Sequence, residues 1–248
     1  MLIICWDFDG TLITSGNIYK DIFFDYVKKD LLNDEKNYNF FSSFFLKCGG
    51  KHPLNVFKEL KENNFLKNGI LFDKEEIDKK FNNSIKKNGI LLTDGILEIL
   101  EKLSKDKNII MSIVTSTNID NFLVKFNSPS LKCLKKYFQL DNNIYICEEI
   151  GSKEPKPNSN GYVYAINDIL LKNNISNTKN TIIAIEDSIS GCISACNAKK
   201  EIKNNDLIVV GYNIVNSNIN SKKLIKNGAD YIFNTPKDLF DFINKINK

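Results

Sequence analysis

Leu2-Ile3-Ile4-Cys5-Trp6-Asp7-Phe8-Asp9-Gly10-Thr11-Leu12 begins as an uninterrupted apolar run and breaks at two acids, one residue apart, followed by a glycine. A short apolar run rich in strand formers suits a β-strand buried on both faces of a parallel sheet, where alternation with polar residues is not needed. Comparable runs recur at residues 109–114, 144–147, 181–185, 207–210 and 231–233. Stretches of helical periodicity separate most of them, for example 96–103 (Ile96, Leu97, Ile99, Leu100, Leu103) and 237–246. Strand and helix in alternation predict an α/β fold built on a doubly wound parallel sheet.

Residues 15–89 contain no such run. They carry aromatic-rich helical patterns at 18–32, 40–46, 53–63 and 74–87, punctuated by glycines, asparagines and Pro53. This predicts a small α-helical domain at 15–89, inserted after the first strand into a core domain made of 1–14 and 90–248. The Asn/Lys-rich joins at 173–180 and 216–223 read as surface loops.

The 248 residues are 42% hydrophobic and 26% charged, ordinary for a packed globule. A net charge of +4 is too mild to indicate nucleic acid, and no apolar run nears the roughly 18 residues of a membrane span. Neither partner is expected, and the protein is predicted to be soluble and cytoplasmic. Every basic residue is lysine; without arginine, bidentate forks onto phosphate or carboxylate are unavailable. Six cysteines without a CxxC pair, beside a single histidine, speak against structural zinc and are expected to be free, buried thiols.

In parallel α/β sheets, ligands collect outside the carboxyl ends of the strands. The residues there are Asp7 and Asp9 after the first run, Thr115 after the second, and Glu186-Asp187 after the fourth, with Lys156 in the loop after the third. Acids, one hydroxyl and one lysine at a single edge would hold a hard cation such as Mg²⁺ together with a phosphoryl group. Any one of these residues alone reads better as a cap: Asp187 for a helix starting near Ser188, Thr115 for one near Asn118.

Taken in order, the four segments resemble the four signatures of the haloacid dehalogenase superfamily. Asp7-Phe8-Asp9-Gly10-Thr11-Leu12 is similar to the first, Thr115 in Ile113-Val114-Thr115-Ser116 to the second, Lys156-Pro157 to the third, and Glu186-Asp187-Ser188 with Gly191 to the fourth. Lys156 has a rival in Lys153, but the usual Lys-Pro with a following aromatic fits Lys156-Pro157 and Tyr162, although Ser159 replaces a common second proline. The helical insertion sits where this superfamily's cap domains are found.

The resemblance implies a role for each residue. Asp7 is the nucleophile that forms an aspartyl-phosphate, and Asp9 protonates the leaving oxygen and then deprotonates water. Thr115 and the backbone N–H of Ser116 bind the phosphoryl oxygens, and Lys156 neutralises charge between nucleophile and phosphate. Asp7, the carbonyl of Asp9 and Asp187 bind Mg²⁺, with Glu186 as a direct or outer ligand. An acid at position 9 fits phosphate ester chemistry and sets the chain apart from relatives acting on carbon–halogen or phosphonate bonds. The expected activity is a Mg²⁺-dependent phosphatase acting on a small phosphorylated metabolite.

In the insertion, Cys48-Gly49-Gly50-Lys51-His52-Pro53 is the candidate specificity loop, with Lys51 and His52 as substrate contacts; a plain solvated loop is the alternative. A sugar-phosphate mutase is a second reading of the same site. The lack of arginine and Tyr19 near the expected place of a cap histidine weigh against it. A receiver-type signalling module uses similar groups in a different chain order, and a non-catalytic phosphate-binding module would be expected to have lost Asp7, Asp9 or Lys156.

Overall fold

The structure is a computed structural model that describes residues 1–32, 38–48, 53–151, 153–213 and 218–247. β1 (Leu2–Trp6) is followed by α1 (Gly16–Val27), α2 (Tyr38–Cys48), α3 (Pro53–Glu62) and α4 (Lys74–Asn88). Next come α5 (Ile96–Leu103), β2 (Ile109–Thr115), α6 (Ile119–Phe126), a 3₁₀ segment at Pro129–Lys136, β3 (Ile144–Ile146) and α7 (Asn160–Lys172). The chain ends with β4 (Thr181–Glu186), α8 (Ile189–Glu201), β5 (Asp206–Tyr212), α9 (Asn218–Lys226), β6 (Tyr231–Phe233) and α10 (Pro236–Ile246). Two compact units result: Met1–Thr14 with Ile90–Lys248, and Ser15–Gly89.

In the first unit six parallel strands lie in the order β3-β2-β1-β4-β5-β6. The chain winds outward from β1 through β2 to β3, then returns to β4 on the other side of β1. The winding direction reverses between β1 and β4, and at such a switch point the connections leave a crevice at the carboxyl ends. β1 is buried along its whole length. Ile3 and Cys5 on one face join Tyr162, Ala165, Ile166 and Ile169 of α7 and Cys192, Ala195 and Ala198 of α8 in one core cluster.

Two expectations need correction here. Residues 218–226 form α9 rather than continuing a loop. Its start is Asn- and Ser-rich, but Leu224 is fully buried in the cluster that covers the sheet, and that packing overrides the polar composition. The six cysteines are free, yet only Cys5, Cys48, Cys147 and Cys192 are buried. Cys133 and Cys196 are partly exposed, and Cys196 lies against Gly228. Burial pushes the Cys5 thiol up to about 11, as befits a small apolar side chain rather than a reactive one.

The second unit packs its helices around Phe23, Val27, Phe41, Phe57, Leu60 and Ile77. Tyr19 of α1 lies over Phe81 of α4 at 4.9 Å between ring centroids, and its hydroxyl donates to Asp78 at 3.4 Å. Asp73 caps α4 by accepting from the N–H of Glu76 at 2.9 Å. α1 stops at Val27, short of the expected residue 32, because Leu31 turns out of the helix to bridge Leu66. Apart from that isolated bridge, the described residues of this unit contain no β-structure.

Candidate active site

β1 ends at Trp6, and the N–H of Asp7 still donates to the Ile185 carbonyl at 2.9 Å, so Asp7 leaves the sheet beside the last residues of β4. Glu186 and Asp187 stand there, and Asp7, Glu186 and Asp187 each offer a carboxylate oxygen within 4.8 Å of the others. The switch point thus gathers three acids from two adjacent strand ends. Two glycines make the gathering possible. A Cβ on Gly10, at φ +90°, would collide with the Asp187 carboxylate, and one on Gly191 with that of Glu186.

Lys156 neutralises part of this charge. Its ammonium is 2.6 Å from Asp7 Oδ1, 2.6 Å from Glu186 Oε1 and 2.7 Å from the Val114 carbonyl oxygen, which occupies its three donors. Burial by itself would lower its pKa, but the charges of Asp7 and Glu186 outweigh that and hold it well above the usual lysine range. Lys153 is exposed, and it is Lys156 that stands among the acids. Tyr162, the aromatic that follows, donates to Glu186 Oε1 at 2.5 Å and presents its ring to the Lys156 ammonium. The Ser116 hydroxyl accepts from the backbone N–H of Lys156 at 2.8 Å and ties the loop after β2 to the one after β3.

The acids remain under-compensated. Burial, set against the attraction of Lys156, raises the Asp7 pKa and pushes Glu186 up to about 7. Asp187, surrounded by protein and facing the charges of Asp7 and Glu186, is held well above the carboxylate range. Glu186 Oε2 is buried with no hydrogen-bond partner. A buried, unpartnered carboxylate oxygen beside two further carboxylates is costly without a cation. The all-oxygen donor set fits a hard divalent ion such as Mg²⁺. Asp7, Asp187 and Glu186 are the side chains that could hold it.

The plain capping alternatives fail on geometry. The side chain of Ser188, not Asp187, caps α8 by accepting from the Gly191 N–H at 3.1 Å. Asn118, not Thr115, caps α6, accepting from the Asn121 N–H at 2.9 Å. Asp187 and Thr115 are thereby left for other work. Thr115 is buried at the end of β2, where its hydroxyl oxygen accepts from the Thr117 N–H at 3.1 Å.

Asp9 sits apart from the three-acid cluster as far as its side chain is concerned. Both of its carboxylate oxygens accept from the Lys125 ammonium at 2.7 Å, and Oδ2 also accepts from the Thr117 hydroxyl at 2.5 Å. The expected metal contact of Asp9 is its backbone carbonyl, so the engagement of its side chain by Lys125 and Thr117 leaves that expectation unchanged. Sequence reasoning overlooked Lys125 and Thr117. Lys125 did leave a signal: it interrupts the inward face of α6 formed by Phe122 and Phe126. The expected substrate contacts Lys51 and His52 lie outside the described residues.

A family model described as haloacid dehalogenase-like hydrolase matches residues 4–203. Among solved structures, a conserved haloacid dehalogenase-like protein of unknown function from Agrobacterium tumefaciens aligns with a TM-score of 0.73 and 16% identity, covering 99% of each chain. A HAD family hydrolase from Deinococcus radiodurans, solved with bound phosphate and sodium, aligns at 0.67 and 16% identity over 96% of this chain and 92% of that one. A HAD hydrolase of family IA, variant 3, from Entamoeba histolytica gives 0.67 and 20% identity over 98% and 100%. No curated protein matches. Identities this low carry the fold and nothing finer.

Proposed function

The chain belongs to the haloacid dehalogenase-like hydrolase family, and on that footing we propose that it is a Mg²⁺-dependent phosphatase that cleaves a small phosphorylated metabolite through an aspartyl-phosphate on Asp7. The observation that carries this reading is the convergence of Asp7, Lys156, Glu186 and Asp187 at the β1/β4 switch point. The Deinococcus radiodurans relative, with its bound phosphate, is consistent with a phosphoryl ligand for this fold.

Asp7 attacks phosphorus; a bond forms from its carboxylate oxygen to phosphorus while the ester P–O bond breaks. Lys156, kept charged by its two acidic neighbours, stabilises the negative charge that accumulates between nucleophile and phosphoryl group. The Thr115 hydroxyl and the N–H groups of the loop behind it orient the phosphoryl oxygens. Asp9, in the carboxylate form paired with Lys125, takes a proton from the water that attacks the aspartyl-phosphate. Phosphate leaves and Asp7 is restored. The proton then held by Asp9 passes to the departing alkoxide of the next substrate. Mg²⁺ bound by Asp7, Asp187 and Glu186, with the Asp9 carbonyl, would offset the repulsion between an anionic nucleophile and an anionic ester. Residues 15–89 are read as the cap that shapes substrate choice, and Lys51 and His52 as its contacts.

The test is phosphate release in Mg²⁺ across sugar phosphates, nucleotides and short acid phosphates. Asp7→Asn should lose activity by about a thousandfold or more with an unchanged far-UV spectrum. A fully active Asp7→Asn variant ends the reading. A sugar phosphate isomerised without net phosphate release, followed by ³¹P NMR, replaces the phosphatase with a mutase.

A further inference from the structure

Lys125 is buried and takes no part in the chemistry above, yet its ammonium contacts both oxygens of Asp9. Burying a lysine costs several kcal/mol unless it is well paired, so its place on the inward face of α6 calls for a reason. The neighbouring packing supplies one. Phe8, the residue between Asp7 and Asp9, is fully buried, with its ring 4.8 Å from Phe122 and 6.4 Å from Phe126 of the same helix. α6 therefore holds the Asp7-Phe8-Asp9 segment twice: its aromatics seat the backbone through Phe8, and its lysine seats the side chain of Asp9. Thr117, in the loop that leads into α6, adds a third hold on Oδ2.

We infer that Lys125, assisted by Thr117, is a positioning residue that fixes the Asp9 carboxyl group, which carries the proton taken up in the preceding hydrolysis, for proton transfer to the leaving group. The inference rests on the phosphatase reading and deepens it. Without the pair, Asp9 can rotate about its side-chain bonds, and the fraction aligned with the ester oxygen falls. The loss should depend on the leaving group. An alkoxide needs the proton from Asp9; a nitrophenolate departs without one.

The experiment compares Lys125→Met and Lys125→Arg with the wild-type protein in Mg²⁺, on p-nitrophenyl phosphate and on the alkyl phosphate the wild type turns over best. Single-turnover rates isolate the transfer step from hydrolysis of the intermediate. Lys125→Met should lose roughly ten- to a hundredfold more rate on the alkyl ester than on the aryl ester, within the range of general acid catalysis. Lys125→Arg, which can restore two donors, should recover part of the difference. Thr117→Val, which removes one hydroxyl from a less buried place, should show the same trend more weakly and keeps the test available if Lys125→Met does not fold. Equal losses on both esters, or a gain on the alkyl ester, overturn the positioning role. No turnover of either ester by the wild-type protein overturns the phosphatase reading, and this inference with it.

Discussion

The α/β unit and the helical unit use charge in opposite ways. In the α/β unit, besides surface pairs, Lys156 meets Asp7 and Glu186 and Lys125 meets Asp9, with every one of these side chains 26% exposed or less. The partners are far apart in sequence: 149 residues separate Lys156 from Asp7, and 116 separate Lys125 from Asp9. In the helical unit Lys28 pairs with Asp25 and Lys80 with Glu76, one turn apart, with every side chain at least 46% exposed. Exposed local pairs contribute about 0–1 kcal/mol, whereas buried pairs cost desolvation that a hydrophobic pair would avoid. The helical unit folds around phenylalanines and wears its charge outside. The α/β unit accepts buried charge at one edge of its sheet, where the phosphatase reading places its chemistry.

That contrast can be broken by substitution. Lys156→Met leaves Asp7 and Glu186 without their shared counter-ion and should destabilise the metal-free protein by about 3–5 kcal/mol in urea unfolding. A cost no larger than that of a surface variant would mean that the cluster relaxes or protonates freely, and the contrast would dissolve.

A pH series sharpens it. Burial, opposed by Lys156, raises Glu186 from 4.5 to about 7, so the folded state binds this proton more tightly than the unfolded chain does. The resulting stabilisation is complete below about 4.5 and lost as pH rises through about 7. Glu186→Gln cannot ionise and should melt about 5–10 °C above wild type at pH 8 without divalent ions, the two converging toward pH 5. Added Mg²⁺ should favour the wild type instead, through binding to the folded state. An unchanged difference with and without Mg²⁺ would remove Glu186 from the metal's surroundings.

The smallest effect is expected on the other side. Lys28→Ala should change unfolding free energy by no more than about 0.5 kcal/mol. A loss above 1 kcal/mol would show that the helical unit relies on its surface pairs after all.

Much of the α/β architecture is legible in the sequence. Each strand of a doubly covered parallel sheet is a dense apolar run, and the expected runs differ from the observed strands only at their ends, as at β5, which extends to Asp206 and Tyr212. α9 was not legible, since its Asn- and Ser-rich first turns look like a loop and only the burial of Leu224 holds them in place. At the site, the strand-end positions of Asp7, Thr115, Glu186 and Asp187 followed from the same runs. Thr117 and Lys125 did not, because their link to Asp9 has no local pattern.

Most elements of the chain, α9 excepted, their order, and which chemistry-bearing residues follow a strand can be read from the sequence. These are consequences of local periodicity and of residues adjacent along the chain. That Lys156 rather than Lys153 reaches Asp7, that Ser188 and Asn118 rather than Asp187 and Thr115 cap their helices, and that Lys125 holds Asp9 are matters of three-dimensional packing. Those outcomes depend on the strand order β3-β2-β1-β4-β5-β6, which sets the end of β1 between the ends of β2 and β4. An ion pair forms over about 3 Å, and that distance is fixed by how the strands are ordered and the helices seated, not by spacing along the chain.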